Sequence, residues 1–221
     1  MQPNEEMIND LEIIQKKHDI PSKVFDAMRI VDRELFLPEE YKFLAYNPFT
    51  PAPIGEYQTC SAPDVVSVMC GLLHLEEDQK VLEIGSGCGY HACITAEIVY
   101  PGRVISLEIN PKLAYMARKN ISGAKKAFNR DWNIVVINED GSGGYEKEKL
   151  YDRIYFTAGI PDYFTTDSLY DQLTNGGRFL LAPKRGSFKL GIKKGDGTRE
   201  EKNVSESGYT FVSLKGKYGF N

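Results

Sequence analysis

Histidine is scarce, three in 221 residues. The four cysteines, Cys60, Cys70, Cys88 and Cys93, form no C-x-x-C pair and have no histidine at zinc-ligand spacing, so no metal site is predicted. They read instead as small buried thiols in a reducing compartment. Basic excess is missing too. A net charge of -4 argues against a partner held mainly through phosphates, so nucleic acid is not an expected partner. No apolar run approaches the roughly 18 residues of a membrane span. The opening MQPNEEMINDLEII is acidic and mixed, unlike a signal peptide, and a cytoplasmic location is the expectation. Internal repeats and low-complexity segments are absent as well.

What is present is an ordinary globular balance, 42% hydrophobic and 26% charged, in a length that suits one domain. Three parts are expected within it: residues 1–77 as N-terminal helices and an active-site loop, 78–185 as a cofactor-binding core, and 186–221 as a C-terminal hairpin and closing strand. Met7, Ile8, Leu11 and Ile14, then Val24, Phe25, Met28 and Ile30, recur at helical spacing. Pro48, Pro51, Pro53 and Pro63 then deny backbone donors to any central strand, so FLAYNPFTPAPIGEYQTCSAP reads as an ordered loop or short extended pieces. A loop of that length inside a compact domain is usually functional. A helix with Val65, Val68, Met69, Leu72 and Leu73 on one face is expected after Ser61.

From residue 80 onward strand and helix alternate: KVLEIG, HACITAEIVY, RVISLEIN, KLAYMARKNI, NIVVINED, YDRIYFTAG, and DSLYDQLTNGGRFLLAPK as a helix followed by a strand. That alternation predicts a doubly wound α/β fold, a parallel sheet with helices on both faces. The tail SFKLGIKKGDGTREEKN reads as a hairpin with a charged tip and YTFVSLKG as a final strand.

In a doubly wound sheet the ligand sits outside the carboxyl ends of the strands, where the first strand turns into its helix. Here that turn is VLEIGSGCGY, with Glu83 before Gly85, Ser86, Gly87 and Gly89. The dinucleotide fingerprint G-x-G-x-x-G does not fit, because the third glycine falls one position early. Glu108 closes the next strand, where an acidic side chain can accept from ribose hydroxyls. Asp140 and Gly141 close the third. Three acidic residues at strand ends on one side of a sheet point to a nucleoside-bearing ligand.

The pattern acidic-x-G-x-G-x-G resembles the first motif of class I S-adenosylmethionine methyltransferases. VDRELFLPEE, AYNPFTPAPIG, QTCSAP, GSGCGY, EDGSGGY, YDRIYFTAGIP, LTNGGRFLLAP and FVSLKGKYGF, in this order over residues 24 to 220, resemble the protein-L-isoaspartate O-methyltransferase family. The resemblance implies a Rossmann-like, mostly parallel seven-stranded sheet with N-terminal helices and a C-terminal antiparallel β element. It also implies S-adenosylmethionine as cofactor, S-adenosylhomocysteine as product, and methyl transfer to the free carboxylate of isoaspartyl residues in damaged proteins. The methyl ester then collapses to a succinimide that hydrolyses partly to normal aspartate.

PIGEYQTCSAP looks like the family's active-site segment, which makes Ser61 the catalytic candidate. Gln58 and Thr59 join the cofactor contacts by the same match, Thr157 and Ala158 match the strand end that borders the methyl-transfer cleft, and Asp140 matches an acidic residue near the adenine amino group. Read from the residues alone, Ser61-Ala62-Pro63-Asp64 is also a good helix start with Ser61 as N-cap. The chain departs from the family pattern between Asn47 and Pro53, where it has one extra residue and lacks an aspartate. Tyr57 stands where glycine is common and Cys60 where isoleucine is common. Two rival functions remain open on the sequence: a methyltransferase of this fold with another carboxylate or small-molecule acceptor, and a non-catalytic cofactor-binding adaptor. His91, Trp132 and the run Lys125 to Arg130 read as packing, capping and a solvated helix face.

Overall fold

Runs such as VLEI and VISL fit strands covered on both faces and build the centre of the sheet, whereas IVVI forms an edge strand that stays partly exposed. The computed structural model describes residues 3–14 and 19–220, the side chains at 14 and 205–207 excepted. Helices α1 (Pro3–Ile14) and α2 (Ser22–Ile30) come first; the side chain of Ile14 lies outside the described residues. Strands β1 (Ala52–Gly55) and β2 (Gln58–Cys60) form a small antiparallel hairpin, followed by helix α3 (Pro63–Leu73). The main sheet contains β3 (Lys80–Ile84), β4 (Arg103–Leu107), β5 (Asn133–Ile137), β6 (Tyr151–Phe156), β7 (Leu173–Leu181), β8 (Arg185–Lys193) and β9 (Arg199–Thr210) in the order β5-β4-β3-β6-β7-β8-β9. The first five in that order run parallel, and β8 and β9 continue antiparallel. This is the class I methyltransferase architecture.

Helix α4 (Tyr90–Val99) follows β3, α5 (Pro111–Ala127) follows β4, and α6 (Asp167–Gln172) precedes β7. In α5 the buried residues Leu113, Ala114, Ala117, Ile121 and Ala124 form one stripe. Asn110 caps its start by accepting from the Lys112 N–H at 2.9 Å, Pro111 fills its first turn, and Lys125 and Lys126 complement its carboxyl end. The faces of the sheet are covered unequally. Residues of α1 to α5 share one apolar cluster, whereas the other face, with Leu82, Ile105, Phe156 and Phe179, is covered by α6 and by connecting segments.

The proline-rich segment is ordered by one buried cation. Arg33, fully buried, donates to the carbonyls of Leu44 at 2.9 Å, Ala45 at 3.2 Å, Thr50 at 3.1 Å and Cys60 at 3.4 Å. Carbonyls spread between residues 44 and 60 are thereby satisfied inside the protein. Two expectations need correction. YTFVSLKG is not a final strand: β9 ends at Thr210, and beyond it, among the described residues, only Ser213 bridges, to Gly159. Ser61 is not the N-cap of α3. Ala62 occupies that position without any side-chain cap, because Pro63 starts the helix two residues after Ser61.

Candidate active site

The strand order reverses at β3 and β6. The chain leaves β3 for β4 on one side and leaves β6 for β7 on the other, which opens a crevice at their carboxyl ends. Gly85 and Thr157 face each other there. The Thr157 N–H donates to the Ile84 carbonyl at 3.0 Å, and its hydroxyl donates to the Gly85 carbonyl at 2.7 Å. Gly85 has φ +99°, and any side chain on it would collide with the Thr157 hydroxyl. Gly87 has φ +51°, and a Cβ there would lie 3.3 Å from Ile54 Cδ1. Both line a cavity of about 300 Å³ in the crevice, together with Ser86, Glu108, Gly141 and Thr157.

Gly89 does not line it. It is the N-cap of α4 at φ +89°, and a Cβ would meet Ile121 Cγ1 at 3.0 Å and the Ala117 carbonyl at 3.3 Å. Its bareness lets α4 approach α5.

The three acidic strand ends also separate. Glu108 lines the cavity, its Oε2 accepting from the Gly87 N–H at 3.0 Å and its Oε1 from the Asn110 N–H at 3.0 Å. Burial pushes its carboxyl above the usual range, against the backbone N–H groups around it. Glu83 is fully buried behind the loop, hydrogen-bonded to the hydroxyls of Ser106 and of Tyr155 (2.8 Å), and outside the cavity lining. Burial lifts its pKa to about 8. Asp140 likewise stays out of the lining: Oδ1 accepts from the Ser142 N–H and Oδ2 from the Lys217 N–H, both at 2.8 Å. Burial raises its pKa, but those backbone donors outweigh it and hold the carboxyl below its usual range. Glu83 and Asp140, both expected as cofactor contacts, lie beside the cavity rather than in its lining. The first braces the floor of the site and the second pins the C-terminal segment.

The roof is the β1–β2 hairpin. Glu56 at its tip pairs with Lys112 Nζ at 2.8 Å and reaches Asn110, joining the hairpin to the start of α5. Gln58, Thr59, Cys60 and Ser61 line the cavity from this side. A second, wider depression of about 640 Å³ adjoins it, lined by residues including Phe49, Asp64, Lys184 and Phe211. Thr59, Ser61, Thr157 and Val212 belong to both.

Several lining residues escaped the sequence reading. Ile109, 43% exposed beside the buried Glu108, carried a signal in being a large apolar residue just past a strand end. Val212 to Lys215 carried none, since contacts distant in the chain, the bridge between Ser213 and Gly159 among them, bring that segment back over the crevice. His91 is buried against Tyr155, ring centroids 4.6 Å apart, with Nε2 3.4 Å from Cys70 Sγ. Burial drops its pKa to about 3, leaving it neutral.

A family model described as protein-L-isoaspartate(D-aspartate) O-methyltransferase matches residues 2–218. The chain belongs to that family. A protein-L-isoaspartate O-methyltransferase 2 of Archaeoglobus fulgidus is 45% identical over 210 residues, covering 95% of this chain and 92% of that relative. A Methanothrix thermoacetophila protein-L-isoaspartate O-methyltransferase is 43% identical over 205 residues, 91% of either chain. The fold matches a solved Plasmodium falciparum putative protein-L-isoaspartate O-methyltransferase, crystallised with S-adenosyl-L-homocysteine, at TM-score 0.77 and 21% identity over 96% of this chain and 98% of that one.

The family's crevice has a specific chemistry in this chain. Gly85 and Gly87 line it, and Glu108 presents there a carboxyl oriented by the Gly87 and Asn110 N–H groups. A buried hydroxyl, that of Tyr90, has no hydrogen-bond partner among the described residues and belongs to a residue that lines the cavity. A mostly apolar cleft with a few convergent polar groups fits a nucleoside with a charged appendage. Among the described residues no group of His, Cys, Asp or Glu is arranged to hold a metal ion, and no helix is long and apolar enough to cross a membrane.

Proposed function

We propose that this protein methylates the free carboxylate of L-isoaspartyl residues in damaged proteins, with S-adenosylmethionine as methyl donor. One observation carries the reading beyond family membership: Thr59, Ser61 and Thr157 line both the glycine-loop cavity and the adjoining depression. The first suits the cofactor and the second an extended acceptor, and three hydroxyls stand where the two meet.

When bound, S-adenosylmethionine supplies an electrophilic methyl sulfonium. Glu108 would hold its ribose hydroxyls, and the loop from Gly85 to Gly87 would receive its amino-acid portion. Gln58 and Thr59 would cover it from the hairpin. The acceptor carboxylate has a reference pKa of about 4 and is already ionised at neutral pH, so no general base is needed. Ser61 donates to that carboxylate and holds it in line, and positioning supplies most of the rate. A neutral, buried His91 is consistent with a site that abstracts no proton.

Transfer of a tritiated methyl group to an isoaspartyl peptide and to its aspartyl twin tests the proposal. Base-labile label in the isoaspartyl peptide alone is the expected result. Equal labelling of both peptides would point to another carboxylate acceptor, and cofactor binding without turnover on a damaged-protein mixture to an adaptor.

A further inference from the structure

One wall of the depression beside the cofactor cavity is built from segments that meet only in the fold. The Phe211 N–H donates to the Lys184 carbonyl at 3.3 Å, the Gly159 N–H donates to the Val212 carbonyl at 2.7 Å, and Ile160 bridges to Pro183. Gly159, two residues beyond Thr157, packs directly on this wall: a Cβ there would lie 2.6 Å from Lys184 Cα. Lys184 Nζ donates to the Phe211 carbonyl at 3.2 Å, which holds the ammonium at the depression that Lys184 lines. An ammonium has three donors, and this bond takes one. Among the described residues its partner is a neutral carbonyl rather than a carboxylate, so its positive charge stays uncompensated there. The other charged side chain in the lining is Asp64. It stands in the first turn of α3, where the amino end of the helix offsets its charge.

We propose that Lys184 makes the acceptor depression select for an acidic side chain next to the isoaspartyl residue. The inference rests on the proposed function and names the acceptor more closely. The carboxylate to be methylated belongs at Ser61 and Thr157, where the depression meets the cofactor cavity. A peptide that runs from that point through the depression passes the wall carrying the Lys184 ammonium. An acidic side chain there gains an ion pair with a group the fold already holds in place, whereas a basic one is repelled. Phe49, 54% exposed, and Phe211 supply apolar surface in the same depression for the rest of the segment. Lys184 acts on binding of the acceptor and not on the cofactor, since it lies outside the lining of the cofactor cavity. Because the ammonium is solvent-exposed, the preference is a few-fold and weakens as salt screens it.

The test measures methyl transfer by the full chain to isoaspartyl peptides that carry Glu, Gln or Lys directly before or directly after the isoaspartyl residue. At one or both positions KM should rise from Glu through Gln to Lys, by about threefold to fivefold in all, as befits an exposed ion pair. Added salt should shrink the spread. Lys184→Glu should reverse the order, Lys184→Met should abolish it, and Lys184→Arg should keep it, with affinity for S-adenosylhomocysteine as in the wild type throughout. Should the Glu variant fail to fold, the wild-type series together with the Met and Arg variants decides. Equal KM for all peptides in the wild type, or an order that survives Lys184→Glu or Lys184→Met, would overturn the proposal. A uniform loss on every peptide with the order intact would do so too, because it would make Lys184 only a clamp on the Phe211 carbonyl. No methylation of any isoaspartyl peptide would instead overturn the proposed function, and this inference with it.

Discussion

Gly87 and Glu108 are joined across the ends of neighbouring strands: the Gly87 N–H donates to Glu108 Oε2 at 3.0 Å, while Oε1 takes the Asn110 N–H at the same distance. The carboxylate is thus oriented by two backbone donors, one on each oxygen, before any ligand arrives. An amide cannot reproduce this, since one of its two ends must present N–H to a backbone N–H. Glu108→Gln should weaken S-adenosylhomocysteine by about tenfold or more, as expected for charge-assisted hydrogen bonds of roughly 1.5 to 3 kcal/mol. Calorimetric titration measures it. A change under about twofold would mean the ribose is held elsewhere.

Gly87→Val tests the loop itself. At φ +51° a β-branched residue is strained, and the new Cβ would press on Ile54 Cδ1 at 3.3 Å. Loss of S-adenosylhomocysteine binding with a native circular dichroism spectrum is the expected outcome. Unchanged affinity in the folded variant would take the glycine loop out of the site.

For Ser61 the structure sharpens the experiment, because Ala62 rather than Ser61 holds the cap position of α3. Loss of an N-cap side chain typically costs about 1 kcal/mol, and Ser61→Ala should fall clearly short of that in urea unfolding. Methyl transfer to an isoaspartyl peptide should drop about tenfold or more in kcat/KM, roughly one good hydrogen bond in the transition state at about 1.36 kcal/mol per decade. Ser61→Gly should behave alike. A folded, fully active glycine variant would remove Ser61 from the catalytic assignment.

Glu83 predicts a pH dependence of stability. Its carboxyl is lifted from 4.5 to about 8, chiefly by burial, so the folded state binds this proton more tightly than the unfolded chain. The stability it contributes is complete below about pH 4.5 and is lost as pH rises through about 8. Glu83→Gln, neutral throughout, should flatten that decline, as read from unfolding free energies across this window. An identical slope in both proteins would show that Glu83 is ionised in the folded state.

Much of this molecule was legible in one dimension. Apolar runs of about five residues separated by helical periods are enough to name a parallel sheet, because a strand covered on both faces needs side chains of one character along its length. The glycines at 85 and 87 were equally readable, since a loop that must turn at positive φ beside a ligand admits little else. Family likeness supplied the rest of the candidate site, and Gln58, Thr59, Ser61, Gly141 and Thr157 all reach the cavity.

What sequence spacing left open was the direction in which each strand-end acid points. Glu83, Glu108 and Asp140 look equivalent in sequence, yet each is claimed by a different neighbour: Ser106 and Tyr155, the Gly87 and Asn110 amides, and the Ser142 and Lys217 amides. Gly89 was set apart by α5 packing against α4, and the path of the tail by the Gly159 bridge and the Asp140 clasp. The sequence by itself determined element type and order, because periodicity and backbone preference are local properties. Only the tertiary structure decided which polar groups stay available to a ligand, because a buried hydrogen-bonding group takes whichever donor or acceptor the fold places beside it, however distant in the chain.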